Sequence, residues 1–380
     1  MTTEAAYWIA LAHLPRWGHL KINKLIVKFF HEEKITIEEF FNLPEMAWSA
    51  NYGLEAGEVA DLQKAKAELP NNAFLAENII NQGFELIPII SPEYSKILKG
   101  NLKASHSPAV LYIKGNKQIL KERSIAIVGS RAASPVALDF TDNIAKLASK
   151  NFKVVVSGFA KGVDKQALDS ALNYKGQSII VLPQGIATFG SGFKTYYKQI
   201  QEGDVLVLST FFPKAPWKTE LAMARNPIIY GLAEEIYVAE SSEKGGTWSG
   251  VIDGLRKGRK IFVRQPEVGE NNANGLLIQK GGISVDFEGQ VLNDAIEQEV
   301  VNIRLIKPLE EVNIDNKVLS ILNGTPLSAM DIIQKLNLDW TSKKLTAHLN
   351  KMSAVQVVKN GRLNQYILRG QQPSAQQSLF

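Results

Sequence analysis

The sequence predicts an α/β fold whose central sheet is parallel and carries helices on both faces. Short apolar runs alternate with helical patterns through the middle of the chain, and each run is followed at once by such a pattern. Parallel strands need long crossover connections, usually helices, and right-handed crossovers cover both faces of the sheet. Five successive strand–helix units agree, so residues 123–288 are predicted as the core of an extended Rossmann-like domain.

The predicted strands of this core are short runs rich in Val, Ile and Leu, as expected of strands buried on both faces. They are Ile125–Val128, Val154–Val156, Ile179–Leu182, Val205–Leu208, Ile236–Val238 and Ile261–Val263. The helices predicted between them are Val136–Ser149, Lys165–Leu172, Tyr196–Gln201, Lys218–Arg225 and Ser249–Lys257. Two earlier runs, Phe84–Ile90 and Ala109–Ile113, also predict short strands, and the whole sheet domain is placed at residues 81–305.

Residues 1–80 are predicted to form a helical domain. Apolar residues from Leu20 to Phe30 recur every three or four positions, and a second helical pattern covers residues 55–67. Trp8, Trp17 and Trp48 are interpreted as packing residues.

Residues 316–369 have the pattern of a winged helix-turn-helix. Three helices are predicted at Lys317–Leu322, Ala329–Leu336 and Ser342–Met352, followed by a hairpin around the Asn360-Gly361 turn. Asn-Gly favours a tight hairpin turn because both residues tolerate a positive φ. Residues 370–380 lack an apolar period and are predicted to be a disordered tail.

Composition excludes several classes of chemistry. The 380-residue chain has no cysteine, which removes thiolate catalysis, disulfides and cysteine-ligated zinc. Its five histidines are scattered, so no metal site and no cofactor are expected. No apolar run is long enough to cross a membrane, so we expect a cytoplasmic protein without a membrane partner. The net charge of +5 is compatible with a polyanionic partner.

Glycine-containing loops follow several predicted strands, at the sheet edge where ligands of open parallel sheets bind. Glycine lets the backbone approach a ligand, and neighbouring cations suit phosphate. The candidate phosphate-binding residues are Gly129, Ser130, Arg131, Ser157, Gly158, Lys161, Gly185, Arg225, Asn226, Gly245, Gly246 and Thr247. The helix opened by Ser134-Pro135 adds free N–H groups beside the first loop. Tight strand-to-helix turns without a ligand are the alternative interpretation.

The sequence lacks the motifs of several other ligand-binding and catalytic sites. No G-x-G-x-x-G follows the first strand, which disfavours a dinucleotide, and Gly192–Thr195 lacks the spacing of a Walker motif. No histidine lies in the core of the sheet domain, residues 123–288, so no Ser/His/Asp set is available there and no enzyme activity is expected. Asp164 has two interpretations, a general base or the cap of the following helix.

The winged-helix segment is basic, with eight Lys and Arg against two acidic residues in 316–369. Its predicted basic face consists of Lys343, Lys344, Lys351, Lys359 and Arg362. Such modules contact phosphates on the third helix and wing. A solvated helix face or a protein-docking surface explains the same charges.

Four motifs occur in an order that resembles the DNA-processing protein DprA (Smf) family. They are Ile125–Arg131, Ser157-Gly158-x-Ala160-x-Gly162-Val163-Asp164, Ala224–Leu232, and Gly275-x-x-x-Ile278-x-x-Gly281. The resemblance covers the sheet domain. It also identifies residues 1–80 with that family's helical SAM-like or helix-hairpin-helix extension and residues 316–369 with its winged helix.

The resemblance implies a non-enzymatic protein that protects single-stranded DNA, dimerises, and loads a RecA-type recombinase during natural transformation. By position, Gly129, Ser130 and Arg131 would hold phosphate, with Lys161 beside them. Arg225 and Asn226 would brace or contact the strand.

The chain departs from the family pattern at several positions near the predicted pocket. Pro227 replaces an arginine, Leu168 a histidine and Thr210 a glutamate, and Phe193 lies where an asparagine is usual. These changes remove charged and polar groups. The alternative function is therefore a divergent sensor or hydrolase for a small nucleotide, although no glutamate shortly follows Thr247 for N-glycosidic hydrolysis.

Overall fold

The structure is a computed structural model that describes residues 2–292, 314–322, 326–336, 338, 340–350, 352–360 and 363–370. The chain divides into two compact units, Met1–Ala295 and Ile296–Phe380. Within the described ranges, no helix combines the length and the apolar character needed to cross a bilayer.

The first unit begins with six helices, in agreement with the helical pattern of the sequence. They are α1 (Thr2–Ala12), α2 (His19–Ile26, continued by a π-helical turn over Val27–Glu32), α3 (Ile37–Asn42), α4 (Glu45–Tyr52), α5 (Ala56–Ala67) and α6 (Leu69–Asn81). Thr36 and Glu39 form a capping box that starts α3. Trp8 and Trp48 are buried in the core, and Trp17 is partly buried against it.

These helices and the sheet share one continuous apolar core, which explains why they form a single compact unit. A polar contact crosses the same boundary, where the ring of His13 lies 2.9 Å from the Tyr112 hydroxyl. Burial lowers the pKa of His13 to about 4, so the imidazole is neutral at pH 7.

The predicted α/β fold is confirmed by a nine-stranded sheet. Its strands are β1 (Glu85–Pro88), β2 (Val110–Lys114), β3 (Ser124–Gly129), β4 (Val154–Ser157), β5 (Ser178–Val181), β6 (Val205–Ser209), β7 (Glu235–Glu240), β8 (Ile261–Arg264) and β9 (Ile283–Val285). They are arranged in the order β1-β2-β6-β5-β4-β3-β7-β8-β9, and the seven from β6 to β9 are parallel. Strands β4, β5 and β6 extend the sheet on one side of β3, and β7, β8 and β9 extend it on the other.

Helices connect these strands. They are α7 (Lys96–His106), α8 (Pro135–Lys150), α9 (Val163–Asn173), α10 (Gly190–Thr195), α11 (Tyr197–Glu202), α12 (Thr219–Ala224), α13 (Asn226–Leu232), α14 (Gly246–Arg256) and α15 (Asn274–Gln279). Four elements of the core go beyond the sequence prediction, namely α10, α13, α15 and β9. Helix α13 follows α12 at once because Pro227 suits a first helical turn, and β9 is only three residues long.

The second unit has its own apolar core. Its elements are α16 (Ile314–Ile321), β10 (Leu327–Ser328), α17 (Ala329–Leu336), α18 (Ser342–Leu349), β11 (Val355–Asn360) and β12 (Leu363–Leu368). The strands form a sheet in the order β10-β12-β11. Gly361, at the predicted turn, and the predicted tail beyond residue 370 lie outside the described residues.

Candidate nucleic-acid interface

The switch point of the sheet lies between β3 and β7, where the strand order reverses. Crevices at the carboxyl end of such a point are the usual ligand sites of open α/β sheets. The loop after β3 contains Gly129, Ser130 and Arg131, and the loop after β7 contains Lys244 to Thr247. The structure therefore brings together two loops that are more than 100 residues apart in sequence.

Hydrogen bonds hold these two loops in place. The Ser130 amide donates to the Glu240 carbonyl at 2.9 Å, and the Thr247 hydroxyl donates to the Gly129 carbonyl at 3.0 Å. The Asn226 amide nitrogen lies 3.4 Å from the Gly246 carbonyl. Asn226 and Thr247 thus fix the loops, while the glycine backbone faces the crevice.

The crevice is one of two clefts that join into a groove. The switch-point cleft has a volume of about 330 Å³ and runs from Gly129–Arg131 to Lys244–Thr247. The second cleft, about 340 Å³, is lined by Gly158–Lys161 and Trp217, and is called the β4–β5 cleft below. The clefts share Arg131, Ala160, Ala222 and Arg225. Because both are open to solvent, the groove suits an extended ligand.

Three exposed cations surround the groove and are called the rim: Arg131, Lys161 and Lys244. None of them forms an ion pair with a carboxylate of the described residues. Their charges are therefore available to an anionic ligand, in the positions that the sequence indicated for Arg131 and Lys161.

Arg225 differs from the rim because it is buried, with only 4% of its surface exposed. Its Nη1 donates to the Val181 carbonyl at 2.7 Å, and its Nη2 lies 3.4 Å from the Asp164 carboxylate. Its Nε is buried without a partner among the described residues. The structure thus corrects the expectation that Arg225 neutralises a phosphate beside Arg131 and Lys161. Arg225 instead lies at the base of the groove, where its contacts with Val181 and Asp164 stabilise the fold.

Asp164 and Arg225, with Gly158 against the guanidinium, are called the floor of the groove. Asp164 accepts hydrogen bonds from the Ala160 amide at 3.3 Å and from Arg225. Burial raises the pKa of the Asp164 carboxyl, and the Arg225 charge opposes that rise. Helix α9 takes Gly162 as its N-cap residue, so the predicted capping role of Asp164 is wrong.

Two predicted residues, Ser157 and Gly185, shape the groove from within the fold and line neither cleft. The Ser157 side chain is buried, with its hydroxyl 3.5 Å from the Ile127 carbonyl. A Cβ on Gly185 would lie 2.2 Å from the Phe212 carbonyl oxygen, so the backbone passes too closely for any side chain. Gly162 likewise combines a φ of 82° with a 2.4 Å approach to the Ser130 carbonyl.

The N-terminus of α8 is already occupied by the protein itself. The Ser134 hydroxyl accepts from the Ala137 amide, and both the Ser134 amide and its hydroxyl donate to the Glu240 carboxylate, at 3.2 and 2.5 Å. One of the free N–H groups expected at this helix, that of Ala137, therefore has a partner, and the Glu240 carboxylate lies beside the helix start.

An aromatic residue that the sequence interpretation missed lies beside the rim. Trp217 is 51% exposed and lines the β4–β5 cleft together with Phe159 and Lys161. The available signal was a tryptophan between Pro216 and Lys218 in a loop that lacks an apolar period. Exposed aromatic rings next to cations are typical of single-stranded nucleic-acid sites.

The four residues that depart from the family pattern line neither cleft of the groove. Leu168 is buried in the core, Pro227 lies in the first turn of α13, and Phe193 packs on Phe189 with ring centroids 5.3 Å apart. Thr210 directly follows β6.

In the second unit, Lys343, Lys344 and Lys359 are exposed. The Lys344 ammonium lies 4.4 Å from the centre of the Trp340 ring, which fixes the lysine next to an aromatic surface. Lys351 and Arg362 lie outside the described residues.

The fold and the groove define this chain as a doubly wound α/β protein with a cationic groove at its switch point. The chain belongs to the family described as DNA recombination-mediator protein A, which matches residues 85–295, as the four motifs indicated. It is 33% identical over 192 residues to the DNA processing protein DprA of Streptococcus pneumoniae, covering 49% of this chain and 66% of that protein.

A second relative agrees with this assignment, and a solved structure agrees with the fold. The DNA processing protein DprA of Bacillus subtilis is 30% identical over 230 residues, covering 58% of this chain and 74% of the relative. The X-ray structure of the Streptococcus pneumoniae protein superposes with a TM-score of 0.54 at 24% identity, covering 79% of this chain and 98% of that chain. This superposition supports the fold.

Proposed function

We propose that this chain binds single-stranded DNA along the groove and delivers it to a RecA-type recombinase during DNA uptake. The observation that carries the proposal is the rim: three exposed cations without carboxylate partners beside an open groove at the switch point. Membership of a recombination-mediator family, and the DNA-processing names of the relatives, make DNA the polyanion of choice.

The groove suits a single strand better than a duplex. Trp217 offers a ring on which a base stacks, and bases are free to stack on protein only when unpaired. Stacking and backbone contacts both tolerate any sequence, so binding would be sequence-independent and sensitive to salt.

We propose a binding role without catalysis. Asp164, the carboxylate that lines the groove among the described residues, is held by Arg225 and the Ala160 amide, which leaves it poorly placed as a base. The sequence contains no histidine between His106 and His348, so the groove lacks an imidazole.

The test is binding of a 20-nucleotide single strand to Arg131→Ala at several salt concentrations. Losing one phosphate contact is expected to lower affinity and to flatten the slope of log K against log salt by about 0.7. Arg123→Ala is the matched control, because Arg123 precedes β3 at the opposite edge of the sheet and is paired with Glu234. Equal affinity and slope in both variants would refute the assignment.

Delivery to a recombinase, as a homodimer, is a separate part of the proposal. Light scattering of the full chain is expected to give twice the monomer mass. RecA filament formation on strands coated with single-strand-binding protein is expected to accelerate with the wild type and to slow with Arg131→Ala.

A small nucleotide is the second candidate ligand, since glycine loops line the switch-point cleft, which by itself has room for one phosphate-bearing molecule. Thermal unfolding with nucleoside monophosphates and with short oligonucleotides separates the two. Stabilisation by the monophosphate alone would favour the nucleotide.

A further inference from the structure

A third cleft adjoins the switch-point cleft on the side of α14 and is called the side cleft here. It has a volume of about 170 Å³. The two clefts share Met223, Asn226, Tyr230 and Gly246 in their walls. A ligand held in the switch-point cleft therefore lies one side chain away from this space.

The walls of the side cleft are mostly apolar. Leu102, Met223, Pro227 and the Tyr230 ring line it together with the glycines of α14. At Gly250, a Cβ would lie 2.9 Å from the Tyr230 oxygen. The close packing of α14 against the Tyr230 ring therefore requires a residue without a side chain at this position. Glycine weakens a helix interior, which makes its presence here a property of the packing around the cleft.

Polar groups at the cleft have unused hydrogen-bonding capacity. The Asn101 amide nitrogen donates to the Gly231 and Ala233 carbonyls at 2.9 and 3.1 Å, while its side-chain oxygen has no partner in the described part of the chain. Ser249 is exposed at the mouth. The Tyr230 hydroxyl is unpartnered among the described residues but has almost no accessible surface, so Tyr230 presents its ring to the cleft. A ligand with both a flat apolar face and polar edges matches this set.

We propose that the side cleft is a subsite for one nucleobase of the bound strand, whose phosphate lies in the switch-point cleft. The inference rests on the proposed function. A cavity of about 150 Å³ accommodates a benzene ring, so the side cleft has room for a pyrimidine but not for a whole nucleotide. Trp217 lines the other end of the groove, so this base is distinct from the one that stacks there.

The experiment fills the cleft and compares two strands with identical phosphates. Ser249→Leu places a branched side chain at the mouth of the cleft from an exposed helical position. Ser49→Leu is the matched control, because Ser49 is exposed on α4 and lines none of the three clefts. Binding is measured to a thymidine 20-mer and to a 20-mer in which every base is replaced by an abasic site.

Ser249→Leu is expected to lower the affinity for the thymidine strand on the order of tenfold, which is the size of one lost stacking contact. The affinity for the abasic strand is expected to stay unchanged. Equal losses on both strands would show that leucine obstructs the backbone path, and an unchanged thymidine strand would show that no base enters; either result overturns the subsite. Thermal unfolding checks that both variants fold.

Arg131→Ala separates failure of the subsite from failure of the proposed function. This variant should lower the affinity for both strands, because it removes a phosphate contact. If Arg131→Ala leaves both affinities unchanged, the groove does not bind DNA, and this conclusion holds for any result with Ser249→Leu.

Discussion

The rim and the floor of the groove contain the same chemistry in opposite environments. Arg131 on the rim is exposed and has no carboxylate partner among the described residues, whereas Arg225 on the floor is buried between Asp164 and the Val181 carbonyl. Both arginines line both clefts. Two arginines at the same edge of the sheet therefore differ in whether a ligand could reach their charge.

Burial and partners decide which role each arginine has. A buried guanidinium loses its hydration and must recover the lost interactions from fixed groups, so Arg225 is committed to the fold. An exposed one keeps water until a phosphate replaces it, so Arg131 is free to bind and its effect depends on salt. Three predictions test this division, and a fourth concerns another buried polar group beside the groove.

The largest effect is expected when the buried pair is broken. Asp164→Ala leaves Arg225 buried beside a single carbonyl, which should lower the free energy of unfolding by about 3–5 kcal/mol. Chemical denaturation measures it. Glu202→Ala is the control, since Glu202 forms an exposed ion pair with Lys198 and its loss should cost less than about 1 kcal/mol. Similar losses in both variants would contradict a structural floor.

Removing the whole rim should abolish most binding while leaving the fold intact. In a triple alanine variant of Arg131, Lys161 and Lys244, the salt slope should flatten by about 2, and affinity should fall on the order of a hundredfold. Fluorescence anisotropy of a labelled strand gives both quantities. A large drop in the unfolding midpoint would show that the rim is also structural.

A methyl group on Gly158 should disturb the floor. Its Cβ would lie 1.7 Å from the Arg225 Nη1, and that guanidinium is held by its two partners, so Gly158→Ala should destabilise by about 1–3 kcal/mol. Gly190→Ala, which meets no atom within 4 Å, should change stability by less than about 0.5 kcal/mol. If both variants are equally stable, the guanidinium is free to move.

The smallest effect is expected at Tyr230, a buried polar group that lies in the walls of two clefts and lacks a partner in the described chain. Tyr230→Phe removes the unsatisfied hydroxyl and should leave stability unchanged or raise it by about 1 kcal/mol. Denaturation of the unliganded protein measures this. A clear loss would mean that the hydroxyl is bonded in solution.

Much of the fold was accessible from sequence because its signals are local. The run Val154–Val156 predicted a strand that the structure extends by one residue to Ser157, and Val205–Leu208 was extended likewise to Ser209. Apolar runs of this length, each followed by a helical period, have few alternatives in a sheet buried on both faces. The strand β9 lacked such a signal because its three residues alternate apolar and polar.

The site was accessible only in part. Glycine loops after strands located Gly129 and Lys161, because the carboxyl ends of parallel strands meet at one edge. The same rule included Ser157 and Gly185, which the fold turns inward. Trp217 was missed because an exposed aromatic in a loop has the same sequence signature as a packing residue.

The order of apolar runs, helices and glycine turns determined the α/β fold and the sheet edge at which the glycine loops gather, because these features depend on neighbours along the chain. Tertiary structure alone decided the roles of the charged residues. Asp164 lies 61 positions from Arg225, and Glu240 lies 106 from Ser134. Whether a charge is neutralised by a partner or left for a ligand depends on such distant contacts, and on the water that burial excludes.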